Sequence, residues 1–132
     1  MQMDRVDDAL LPRAVIDRLA EFSQLKADWD SYGAEPIASF AIEVAKSVVW
    51  RGMNELAAIG ATKTEPFFIA PDPDGGVQVE WRGSAGELEV EVTPAGTLAT
   101  LLVLGGGEDK CYIEHVDADW EIVRESLARI AA

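Results

Sequence analysis

One cysteine and one histidine stand four residues apart near the end of the chain, Cys111 and His115. A thiol and an imidazole act as nucleophile and base only at about 3 Å. Both lie in a segment that reads as a strand, which puts them on one face but roughly 13 Å apart. Cys111 is therefore expected to be a small core residue. Asp72-Pro-Asp74-Gly-Gly brings two carboxylates into one turn. A hard cation needs several oxygens converging at about 2.6 Å or less. The turn has no later acidic ligand and Pro73 stiffens it, so neither a metal nor another cofactor is expected. Gly105-Gly-Gly107 has no following Lys-Ser/Thr and no helix to receive a phosphate, and reads as a hairpin or bulge.

The clearest chemical pattern is carboxylate. Glu87, Glu89 and Glu91 alternate with Leu88, Val90 and Val92. Alternation places the three acids on one side of a strand, about 7 Å apart. Glu80 and Glu114 join that side if the strand register allows. Such a face suits a Lys/Arg-rich partner, although a solvated sheet face also tolerates Glu. Trp29, Asp30 and Tyr32 form a second cluster. Its aromatics either pack a corner or stand out as anchors, since Trp and Tyr are enriched among binding hot spots. Trp81 alternates with Val77 and Val79 and belongs to the core. Acid–base work by Asp30 or Glu80 with Tyr32 would need a pocket that the sequence does not imply, so no catalytic residue is assigned.

These residues must be positioned by a single domain. The chain has 132 residues, enough to bury a core without disulfides or metals. Hydrophobic residues make up 48% and charged residues 27%, close to the globular average, which excludes general disorder. Residues 1–9 are expected to be flexible. Met1 to Asp8 carries three aspartates and no apolar run, unlike a signal peptide. No stretch approaches the 18 or so apolar residues of a membrane span. The lone cysteine favours a reducing cytoplasm. The net charge of −13, from 24 acids and 11 bases, repels nucleic acid and anionic lipid and favours a basic protein.

The first helix starts near Pro12, and Ile16, Leu19, Phe22, Leu25 and Trp29 form its apolar stripe. Gly33 and Pro36 break the chain. Ser39 is a plausible cap for a second helix that is apolar on more than one side and closes at Gly60. The period then falls to two. Strands are expected over Pro66 to Ala70, Val77 to Arg82, Leu88 to Val92, Thr97 to Leu104 and Lys110 to His115. Asp117 or Asp119 caps a last helix, with Trp120, Val123, Leu127 and Ile130 buried and Glu125 paired to Arg129. Short turns make the sheet a meander. The fold class is thus α+β, in the order α-α-β-β-β-β-β-α.

Trp29-Asp-Ser-Tyr-Gly-Ala-Glu-Pro-Ile37, Pro73-Asp-Gly-Gly-Val-Gln-Val-Glu-Trp81 and Leu88-Glu-Val-Glu-Val92 carry a resemblance. The chain resembles a group of small uncharacterised bacterial proteins with Trp-Asp-x-Tyr-Gly-Ala-x-Pro-Ile and Pro-x-Gly-Gly-x-x-x-Glu-Trp segments. The match spans roughly Leu19 to Val92. It implies a bacterial, phage or mobile-element setting and transfers no activity. It also implies that Asp30, Gly33, Pro36, Gly76, Glu80 and Trp81 are structurally tied, with Trp29 and Trp81 meeting near the helix–sheet junction.

The functional expectation is a non-enzymatic binding module, of the inhibitor, antitoxin, immunity or counter-defence kind. Its acidic face would take a basic protein, in the extreme a nucleic-acid-binding protein blocked by mimicry. The alternative is a structural subunit whose homodimer forms through a free sheet edge or the second helix. A small enzyme is the third reading.

Overall fold

Alternation of apolar and polar residues sets the sheet, and the helices cover only its apolar side. The computed structural model describes residues 5–131. After a short 3-10 turn at Asp8–Leu10 come α1 (Arg13–Phe22) and α2 (Ser39–Ala58). Five strands follow: β1 (Phe68–Pro71), β2 (Val77–Arg82), β3 (Gly86–Val92), β4 (Leu98–Leu104) and β5 (Cys111–Ala118). Helix α3 (Trp120–Ala131) ends the fold. The sheet is antiparallel in the order β1-β2-β3-β4-β5, as short hairpin turns require. This is the expected α+β arrangement. No helix among the described residues is long and apolar enough to cross a membrane.

The inner sheet face carries Val77, Val79 and Trp81, then Leu88, Val90 and Val92, then Leu98 and Leu102, all buried. Helices α2 and α3 lie over β2 and β3, α3 reaches β4, and α1 sits beside β1. The Trp81 indole lies against α2 at Gly52, where an added Cβ would come 2.6 Å from the ring. Its Nε1 donates to Thr64 O at 3.0 Å. Gly60 closes α2 with a φ of +80°. Its N–H donates to Ala57 O, and Ala61 N–H donates to Leu56 O, the paired bonds that satisfy helix-end carbonyls. Asp119 caps α3, its Oδ1 accepting from Ile122 N–H at 3.0 Å.

Several local expectations change. Helix α1 stops at Phe22, so Leu25 and Trp29 pack on the core from the following loop rather than from a longer helix. The Ser23 hydroxyl takes the Ala20 carbonyl at 2.6 Å, and the positive φ of Asp28 leaves the helical path. Ala38, not Ser39, caps α2, without a side-chain bond. Of the nine leading residues expected to be flexible, 1–4 lie outside the described residues. Val6 is buried in the core, and Asp8 takes an ion pair from Lys46 at 3.0 Å. Glu125 and Arg129 form no ion pair among the described residues, whereas Arg124 pairs with Glu121.

The sheet's two edges differ. At β1, Arg18 Nε of α1 donates to Ile69 O at 3.1 Å. Every residue of β5 from Cys111 to Asp117 except Ile113 is exposed, and among the described residues no helix packs on β5 as α2 and α3 pack on β2 and β3. Cys111 is therefore an exposed thiol, not a core residue. The apolar neighbours it needs for burial lie under α2 and α3, which pack on β2, β3 and β4.

Candidate functional site: the uncovered sheet face

Strand register assembles the outer face. Glu80 pairs with Glu89 across β2–β3, Glu89 with Leu101 across β3–β4, and Leu101 with Glu114 across β4–β5. Cross-strand partners share a face, so Glu80, Glu89, Leu101 and Glu114 form one row. Gln78, Glu91 and Ala99 form the next, and Arg82, Glu87, Val103 and Tyr112 flank the other side. The five glutamates singled out from sequence are thus brought onto one uncovered face.

They are not equivalent. Arg82 Nε lies 3.4 Å from Glu80 and 3.4 Å from Glu87, and its guanidinium stacks 3.7 Å over the Phe67 ring. That end of the face is locally compensated. Glu89, Glu91 and Glu114 have no cation within ion-pair distance among the described residues; Glu89 accepts instead from the Gln78 amide. Burial raises the pKa of Glu89, and the Glu80 and Glu91 carboxylates beside it raise it further. These three acids line a shallow groove of about 420 Å³ whose floor includes Ala99 and Leu101, with Val116 at its edge.

The groove adjoins a cluster that local sequence could not reveal. Glu91 of β3 comes beside the β1–β2 turn, and the carboxylates of Asp72, Asp74 and Glu91 offer oxygens within 4.8 Å of one another. Asp74 Oδ1 already accepts from Gly76 N–H at 2.9 Å. Asp72 Oδ2 is buried without a hydrogen-bond partner. These are the residues that could hold a cation. The signal was the pairing of β2 with β3, which sets Glu91 opposite Gln78, two residues past the turn.

Burial, then Glu91, Asp74 and Glu89, raise the pKa of Asp72 from 3.8 to about 6. Between those values the native state holds a proton that the unfolded chain has released. Stability from this group is therefore present at low pH and lost as pH rises through about 6. The full shift would be worth about 3 kcal/mol; solvent at this half-exposed carboxyl cuts that to about 1 kcal/mol. Asp72→Asn is expected to flatten the decline in urea-unfolding stability between about pH 4 and 6, and to stabilise the protein at neutral pH by about that amount. An unchanged profile would contradict the assignment.

Trp29, Asp30 and Tyr32 lie elsewhere. Their loop docks on the β1–β2 turn, with Glu35 N–H donating to Pro73 O at 2.8 Å and Ala38 N–H to Gly75 O at 2.9 Å. Trp29 Nε1 donates to Glu35 O at 2.7 Å, so this indole packs the corner. Asp30 Oδ1 accepts from Tyr32 N–H and Ala34 N–H, which gives it a loop-building role. Tyr32 stands 92% exposed. The loop tied to Pro73 and Gly75 lies at the start of β2, and Trp81 lies four residues further along. The two indole N–H groups donate to different backbone carbonyls, Glu35 O for Trp29 and Thr64 O for Trp81. Comparison with protein families, curated proteins and solved structures returned no match.

Proposed function

We propose that the protein is a binding module that captures a basic protein partner on its uncovered sheet face, acting as an inhibitor or regulator. The observation that carries this reading is the groove over Ala99 and Leu101, walled by Glu89 and Glu91 on one side and Glu114 on the other. An Arg or Lys side chain suits it. The aliphatic stem would lie along the apolar floor, and the cationic head would meet the carboxylates. The net charge of −13 steers such a partner from a distance, and salt weakens that steering. Tyr32 offers a separate exposed aromatic contact.

The self-repulsion at Glu89 supports the same reading. Burial, with the Glu80 and Glu91 carboxylates beside it, raises the pKa of Glu89, and perturbed carboxylates of this kind cluster at functional sites. The exposed Tyr112 and Val116 on the open β5 edge favour a second reading, pairing with another copy through that edge. Two copies each carrying −13 repel, so the basic partner is preferred.

A titration of the labelled protein with a synthetic Arg/Lys-rich peptide, followed by NMR, tests the proposal. Saturable shifts at Ala99, Leu101, Glu114 and Val116, abolished by high salt, are expected. Shifts scattered over the surface, or none, would contradict it. Light scattering of the free protein separates the second reading, which requires a dimer that persists at low ionic strength.

A further inference from the structure

The lining of one groove at the far end of the sheet is basic, although Glu108 and Asp109 precede Lys110 in its loop. A groove of about 890 Å³ opens between the β2–β3 turn, the end of β4 and the last turn of α3. Arg82, Lys110 and Arg129 line it with a single carboxylate, Glu87. The whole chain has the opposite balance, 11 bases to 24 acids. Arg82 is shared at 3.4 Å between Glu87 and Glu80 and so adds no free positive charge. Lys110 and Arg129 have no ion-pair partner among the described residues, although acids outnumber bases twofold.

Two further features point to an anion. Gly106 N–H donates to no carbonyl among the described residues, and the space a Cβ would take at Gly106 is open. Val103 and Leu104, both partly exposed, add an apolar wall. The carbonyl of Ile130, in the last turn of α3, accepts from Ala85 N–H at 2.9 Å, which ties the β2–β3 turn to that helix. Polyanions are repelled at long range by the overall charge, so the ligand must be small. Two unpaired cations balance a dianion better than a carboxylate.

We propose that this groove binds the phosphate group of a small phosphorylated molecule. Lys110 and Arg129 neutralise the dianion, Gly106 N–H donates to it, and Val103 and Leu104 receive an apolar body. This site is separate from the acidic face and stands or falls independently of the partner-binding proposal.

The test is an NMR titration of the full chain at low ionic strength and about pH 8 with phenyl phosphate, inorganic phosphate and benzoate. Saturable shifts are expected at Ser84 to Gly86 and Gly105 to Lys110. Phenyl phosphate should bind most tightly and benzoate at least about tenfold more weakly. A Lys110→Ala/Arg129→Ala variant should lose at least about tenfold in phenyl phosphate affinity while keeping the wild-type thermal midpoint, because both side chains are exposed. Lys110→Glu alone should weaken binding in the same sense. Absence of saturable shifts, equal binding by the double variant, or benzoate binding as tightly as phenyl phosphate would overturn the proposal.

Discussion

Trp81→Ala is expected to cost about 4 kcal/mol and to lower the thermal midpoint by roughly 15 °C. Three losses combine. The indole is 1% exposed, so its transfer energy is nearly fully spent on the core. It fills the space directly over Gly52, where its ring atoms are the nearest neighbours, so truncation leaves a cavity. It also satisfies Thr64 O. Gly52→Ala forces a methyl into the same ring and is expected to cost about 2 kcal/mol. In a Trp81→Ala background that penalty should vanish, because the ring it strikes is gone. Additive effects in a urea-unfolding double-mutant cycle would show that the indole does not rest on Gly52.

Reversing the uncompensated carboxylates is expected to have a comparable effect on binding and an opposite one on stability. Glu89→Lys, Glu91→Lys and Glu114→Lys together remove three attractions for a basic partner and add three repulsions. At about 1 kcal/mol per half-exposed pair, affinity should fall at least about a hundredfold at low salt. The same variant removes the Glu89 and Glu91 carboxylates, whose repulsion helps raise the pKa of Asp72. Its thermal midpoint should therefore match or exceed that of the wild type. Glu87→Lys is the comparison. Glu87 is already paired with Arg82, so its reversal should weaken binding less and destabilise more. A triple variant that binds unchanged would sink the groove mechanism.

The sheet was legible because period two is a local signal. Val77 to Arg82 and Leu88 to Val92 alternate strictly, and the burial of Val77, Val79, Trp81, Leu88, Val90 and Val92 follows that alternation. The acidic ladder was legible for the same reason. What period two cannot show is which strand is an edge. Cys111 looked like a core residue, but among the described residues no helix packs on β5 as α2 and α3 pack on β2 and β3. Nor does one strand report its partner. The pairing of Glu87 with Arg82 depends on the β2–β3 register, as does the approach of Glu91 to Asp72 and Asp74. The cationic groove draws on residues from Arg82 to Arg129, and no local spacing announces contacts so distant. The two resembling segments touch through backbone groups, Glu35 N–H donating to Pro73 O.

The central claim is that Glu89, Glu91 and Glu114 recognise a basic protein. Its most direct test is parallel capture from a lysate of the source organism with wild-type and Glu89→Lys/Glu91→Lys/Glu114→Lys protein as bait, at low and high salt, with quantitative mass spectrometry. The account predicts a basic protein enriched on the wild type at low salt, released at high salt and missing from the triple variant. Equal recovery on both baits, or recovery insensitive to salt, would contradict it.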